Sequence, residues 1–170
     1  MTIIDVKESI RQIMSKARFY YKDKNAPMPN RPNHIGSTII ICYDGKVLLE
    51  SRADSDRWAF IGGGLQLDEN LKNCIIRETF EETGLVLEAD KVSCIKIYDD
   101  PSIIIEYPDG NIIRSIMALY FVRISLVPQL VCSDESKELR FFDREELKKL
   151  PIVETHIPIL EDIWSERIML

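Results

Sequence analysis

Apolar positions along the chain change their spacing several times, and each change marks an element. Over residues 5–18, Val6, Ile10, Ile13, Met14 and Ala17 fall on one stripe at helical spacing, with Asp5 placed to cap and Glu8 three residues on. This predicts an amphipathic helix whose stripe packs on the domain or on a second subunit. Asn25 to Asn33, NAPMPNRPN, stops any helix and must run extended, so the main domain is expected to begin near residue 34. STIIICY, then Asp44-Gly45, then KVLLESR predicts a hairpin closed by a tight turn. Trp58–Ile61 is a short apolar strand that delivers the chain to Gly62, Gly63 and Gly64.

A helix is predicted next, with Asp68 as its N-cap and Gly84 as a left-handed terminator. Val92–Tyr98 and Ile103–Tyr107 read as strands, and Pro108-Asp109-Gly110 turns the second into a long strand, Ile112–Ile124. Leu139–Phe142 is a further strand, Asp143 caps the brief helix REELKKL, and Ile157–Arg167 makes a final amphipathic helix. Strands and helices mix without a regular βαβ repeat. The pattern therefore predicts an α+β or mixed-sheet sandwich rather than a doubly wound fold.

Composition narrows the classes of function. A chain of 170 residues, 45% hydrophobic and 29% charged, suits one globular domain. A net charge of −6 argues against long nucleic acids and anionic membranes as partners, because nothing broadly neutralises phosphates. A small anionic substrate is compatible with it, held by a local basic pocket and a metal. No apolar run approaches the roughly 20 residues of a membrane span, and no basic-then-apolar leader opens the chain. A cytoplasmic protein is expected. Cys42, Cys74, Cys94 and Cys132 are far apart, with no CxxC pair and no clustered histidines, so zinc and redox sites are not expected. Three of the four sit among apolar neighbours and read as buried free thiols in a reducing cytosol. The leader's Arg11, Lys16, Arg18, Lys22 and Lys24 read as a solvated face, with help in holding a phosphorylated substrate as the minor alternative.

The helix after the glycines carries the chemistry. At ~100° per residue, Glu78, Glu81 and Glu82 share one arc of its surface. Ile75, Ile76, Thr79 and Phe80 form a second, mostly apolar arc, expected to be buried. Close carboxylates repel, so they either hold protons or share a counterion. Magnesium suits them, as a hard cation that takes oxygen ligands and bridges to phosphates. Glycines just before the helix let backbone approach such a site closely.

Gly63, five residues, Glu69, seven residues, then Arg77-Glu78-Thr79-Phe80-Glu81-Glu82-Thr83-Gly84-Leu85 resembles the Nudix box, GX5EX7REUXEEXGU. Three positions depart from its habits: Ile61 stands where many members have proline, Asp68 where a glycine is common, and Thr79 where an aliphatic residue is preferred. None of these is a candidate ligand. The resemblance implies the Nudix fold, a mixed β-sheet sandwiched between helices (α/β/α). An extra N-terminal helix and proline-rich connector would occupy residues 1–33, ahead of a hydrolase domain over 34–170. It implies hydrolysis of a nucleoside diphosphate linked to another moiety, by water attack on phosphorus.

Carried onto this chain, the resemblance implies that Glu81 and Glu82 are metal ligands, with the carbonyl of Gly62 or Gly63 completing the set. Glu78 would be a further ligand or the general base. Glu69 and Arg77 would orient the catalytic carboxylates. Glu135 and Glu138, in SDESKELRFF, are candidates for an additional acid, as general base or extra ligand, and Arg52 for a contact to substrate phosphates. Trp58 is expected to pack, and neither His34 nor His156 has a partner pattern. The implied cofactor is Mg2+, with Mn2+ as the alternative. The implied partner is a small nucleotide-type substrate, with ADP-ribose or a nucleotide sugar as first choice and a nucleoside triphosphate second. A non-catalytic nucleotide sensor and an isoprenoid-diphosphate isomerase are weaker alternatives, because the box glutamates are intact and Cys42 reads as strand interior. Apolar Ile159, Ile163 and Trp164 on the last helix make a homodimer a candidate assembly.

Overall fold

A computed structural model describes residues 16–127 and 129–170. Most of the helix expected over 5–18 therefore lies outside the described residues. Its end does not continue as helix: Arg18 opens a strand, β1 (Arg18–Tyr20), which pairs antiparallel with Ile104–Glu106. The expected hairpin forms as β2 (His34–Tyr43) and β3 (Lys46–Arg52). Asp44 and Gly45 turn it with φ of 49° and 71°, the positive pair that matches the twist of the flanking strands.

β4 (Trp58–Gly64) runs through all three glycines, longer than its apolar residues alone predict. The helix α1 (Leu71–Thr83) starts later than expected. Its N-cap is Asn70, whose side chain accepts from Asn73 N at 2.9 Å, rather than Asp68. Asp68 and Glu69 belong to the preceding turn, which folds Glu69 back toward Arg77. Gly84 ends α1 as expected, with φ 73° and its N–H on Phe80 O at 2.8 Å.

Then follow β5 (Ser93–Tyr98), β6 (Ile104–Glu106), β7 (Ile112–Arg123) and β8 (Ser136–Phe142). A short helix α2 (Arg144–Leu147) carries a full Asp143–Glu146 capping box. A 3-10 turn (Glu154–His156) leads into α3 (Ile157–Trp164). The strands form one mixed sheet in the order β1-β6-β7-β2-β4-β3-β8, with β5 also on β7.

β2 sits at the centre, parallel to β7 from His34 to Cys42 and antiparallel to β4 from Gly36 to Ile39. Its uninterrupted isoleucines serve two faces. Ile39 and Ile41 pack with Leu48, Ile61 and Ile75 of α1, whereas Ile40 packs with Leu49, Phe60, and Ile159 and Ile163 of α3. A strand covered on both sides has no need of polar alternation. The result is the α+β sandwich the pattern predicted, with helices on both faces of a mixed sheet.

Two burial expectations change. Phe80 is 56% exposed, and the face of α1 against the sheet is instead Cys74, Ile75, Thr79, Glu82 and Thr83. Thr79 and Thr83 are tolerated there because each hydroxyl donates to the carbonyl four residues back, at 2.7 and 2.6 Å. Of the cysteines, Cys42 and Cys74 are buried, but Cys94 and Cys132 are exposed; all are free. Among the described residues, no helix is long and apolar enough to cross a membrane.

Candidate active site

Strand β4 changes partners partway along. Trp58 to Phe60 pair with β3, and Ile61 to Gly64 pair with β2. At that handover two amides on alternate residues are met by side chains, since a buried N–H needs an acceptor. Phe60 N donates to His156 Nδ1 at 3.2 Å, and Gly62 N donates to Glu82 Oε2 at 3.1 Å. The sheet thus fixes an imidazole and a carboxylate on the floor of a cleft of about 830 Å3.

The glycines admit the acids. A Cβ on Gly63 would stand 2.3 Å from Glu78 Cδ, so only glycine lets that carboxylate lie against the strand. Glu82 is 5% exposed, and Glu50, on β3, is 1% exposed. Burial, and then the neighbouring Glu50 carboxylate, push Glu82 up to about 9. Burial also raises Glu50, although the Ser136 hydroxyl and Arg52 oppose it, and raises Glu78 against the opposing pull of Arg77. Buried carboxylates crowded at one cleft are hard oxygen donors that a cation would relieve.

Arg77 organises the rim. It binds Glu69 through Nε and Nη2 at 2.9 and 2.6 Å, and its Nη1 reaches Glu78 at 2.7 Å and Glu81 at 2.9 Å. Its hydrogen bonds hold the Glu69 carboxyl down to about 2. Glu81 is the most exposed of the three helix acids, with 54% of its side chain in solvent. Among the described residues no three His, Cys, Asp or Glu groups converge at ligating distance; Nη1 of Arg77 bridges Glu78 and Glu81 instead. The carbonyls of Gly63 and Gly64 accept from Cys74 Sγ at 3.7 and 3.5 Å, and Gly64 O also accepts from Arg77 at 3.2 Å.

Of the residues singled out from sequence, Gly62, Gly63, Arg52, Arg77, Glu78, Glu81, Glu82 and Glu135 line this cleft. Glu69 stands just behind it, through Arg77. Glu138 does not join them: it lies on β8 opposite Ser51, exposed and outside the cleft lining. Arg52 is already engaged, with Nε and Nη2 on Asp54 at 2.8 and 2.6 Å and Nη1 on Glu50 at 3.4 Å. Trp58 packs edge-on against Phe142, 4.7 Å between centroids. Lys16 and Arg18 pair with Asp56 and Glu106.

Glu50 and His156 were not legible as site residues. Glu50 left one trace, a lone carboxylate closing the apolar run VLLE. His34 and His156 line the cleft, as do Phe19 of β1 and Tyr107 just after β6.

A family model described as NUDIX domain matches residues 32–163. An ADP-ribose pyrophosphatase of Methanocaldococcus jannaschii is 30% identical over 126 residues, 72% of this chain and 68% of that protein. A MutT-like protein of Streptomyces ambofaciens is 38% identical over 55 residues, 32% of this chain and only 36% of that protein. Among solved structures, a bifunctional NMN adenylyltransferase/ADP ribose pyrophosphatase of Francisella tularensis, complexed with AMP and a Mn ion, superposes with a TM-score of 0.66 at 25% identity. That match covers 83% of this chain but 43% of the longer protein.

Proposed function

Because the chain belongs to the Nudix hydrolase family, we propose that it is a divalent-cation-dependent pyrophosphohydrolase. Its substrate is a nucleoside diphosphate linked to another moiety, of the ADP-ribose or nucleotide-sugar type. The reading rests on one observation: buried Glu82 lines one cleft with Glu78, which Gly63 admits, and with Glu81. The substrate class is supported by the pyrophosphatase relative and by the AMP and Mn ion of the Francisella neighbour.

Glu82, Glu78 and Glu81, with a main-chain carbonyl of Gly62 or Gly63, would hold the cation, and Mg2+ fits an all-oxygen set best. When bound, it supplies charge neutralisation on the phosphates and a lowered pKa for water. The remaining work falls to the protein. Gly62 N fixes Glu82 through Oε2, so the carboxylate is oriented before substrate arrives. Glu78 and Glu81, now on Arg77, would be shared with the cation when it is bound, and the paired contacts of Arg77 to Glu69 hold the guanidinium in place. Glu135, on the loop before β8 and facing the cleft, takes a proton from the attacking water as general base. Arg52, pinned by Asp54, contributes positive potential at the phosphates rather than a free fork. Positioning and electrostatics of this kind provide most of the catalysis in phosphorus chemistry.

The test is a Mg2+-dependent panel of ADP-ribose, nucleotide sugars, dinucleoside polyphosphates, coenzyme A and nucleoside triphosphates. Glu82→Gln keeps an acceptor for Gly62 N and removes the ionisable carboxyl that would bind the cation. It should lose at least ~10²-fold in rate, the scale of losing one electrostatic stabiliser. Undiminished hydrolysis in that variant contradicts the assignment, and preferential triphosphate cleavage moves the substrate class.

A further inference from the structure

His156 is a protein group in this cleft for which neither the box nor its metal has a use. It is buried, 9% exposed, at the end of the 3-10 turn, with its own N–H on Val153 O at 2.9 Å. Its ring leans on Phe60, with 5.7 Å between centroids. Its Nδ1 accepts from Phe60 N, so that nitrogen carries no proton in the neutral ring. The proton then sits on Nε2. Among the described residues Nε2 has no hydrogen-bond partner, yet it is not one of the sealed, unpaired atoms; the ring lines the cleft. With Nδ1 fixed on Phe60 N, Nε2–H is the ring's free donor on a residue that lines the cavity.

The surroundings select the acceptor. Burial, assisted by the nearby Arg52 charge, holds the ring neutral, with a pKa lowered to about 3. A neutral donor beside aromatic rings suits an uncharged acceptor; phosphate oxygens would favour a cation. Phe60 and His156 lie two strand positions from Gly62 and Glu82, about 7 Å along β4 at ~3.3 Å per residue. That spacing separates the donor from the carboxylates meant for the diphosphate. Strand β1 packs against the turn that carries His156 and brings Phe19 into the cleft; Tyr107 adds a second aromatic ring. β1 precedes residues 32–163, so Phe19 comes from outside the segment that the family model matches, whereas Tyr107 lies within it.

We propose that His156 is a specificity-determining residue, whose Nε2–H donates to a ring nitrogen or carbonyl oxygen of the substrate's nucleoside. The proposal rests on the reading of the cleft as a nucleotide site.

Two measurements on the full chain test it. In 15N-edited NMR of the imidazoles, His156 should appear as the Nε2–H tautomer. Saturating AMP should shift its Nε2 signal, whereas inorganic phosphate should leave it in place. A protonated Nδ1, an Nε2 unmoved by AMP, or the same shift with phosphate alone overturns the proposal. In kinetics on the best substrate of the panel, His156→Phe should raise KM by on the order of 10-fold with kcat little changed. His156→Gln offers an acceptor for Phe60 N and a donor to the cleft, and should recover most of that loss. A fall in kcat at constant KM, or no rescue by Gln, overturns it. The AMP experiment needs no turnover, so it still decides the role of His156 if no substrate of the panel is cleaved.

Discussion

Replacing Gly63 by alanine should separate the chemistry of the cleft from the stability of the fold. The new Cβ would stand 2.3 Å from Glu78 Cδ and 2.5 Å from each carboxylate oxygen. Carbon contacts are comfortable only near ~3.5 Å, so the carboxylate has to retreat by about 1 Å. What moves is the end of a flexible side chain, not backbone. Gly63 is not among the residues with positive φ, so alanine is unstrained there. It also gains about 0.4–1 kcal/mol from a less mobile unfolded chain, which offsets the shift of Glu78. The unfolding midpoint in urea should therefore stay near that of the parent. Activity should not: a misplacement of about 1 Å at reacting groups costs on the order of 10²-fold. The assay is kcat/KM at saturating Mg2+ alongside urea unfolding. Gly36→Ala is the contrast, because its Cβ would meet the Gly63 carbonyl oxygen, a backbone atom, at 2.5 Å and should cost stability instead. If Gly63→Ala keeps activity within about threefold of the parent, Glu78 does not work where it lies against the strand.

The remaining predictions concern burial and protonation. Ile75→Ala, at a fully buried position of α1, should cost about 2–5 kcal/mol in unfolding free energy, whereas Phe80→Ala should cost less than about 1. The reverse order would place the wrong face of α1 against the sheet. His156 titrates at about 3 in the folded protein against 6.5 ordinarily, so between those values the unfolded chain takes up a proton that the folded one refuses. Stability is therefore lost as pH falls below 6.5, by roughly 2 kcal/mol at about pH 5. His156→Gln should flatten that part of the profile in urea unfolding; an identical slope in both proteins would mean His156 is protonated when folded.

The sequence carried most of the framework because its local signals agree with one another. Asp44-Gly45 closes the hairpin, Gly84 ends α1, and the box spacing identifies the acids. The misreadings have physical causes. Phe80 is apolar and its burial is expected, but the sheet covers the Ile75–Thr79–Thr83 side, where threonine hydroxyls are satisfied within the helix. Asp68 lost the N-cap to Asn70 because the turn must bring Glu69 back to Arg77. Glu135 and Glu138 were indistinguishable in sequence; β8 begins between them and carries Glu138 to the outer surface. His156 and Phe19 could not be assembled in advance, since only the handover of β4 from β3 to β2 and the pairing of β1 with β6 bring them to one cleft.

On this reading, water attacks a phosphorus in the cleft with the help of a divalent cation. This is tested most directly by hydrolysing ADP-ribose in 18O-enriched water, with Mg2+ and with EDTA, and locating the label by mass spectrometry. Label should appear in a phosphomonoester product, formed only when the cation is present and nearly abolished in Glu82→Gln. Label bound to sugar carbon, or hydrolysis that EDTA leaves unchanged, would contradict it.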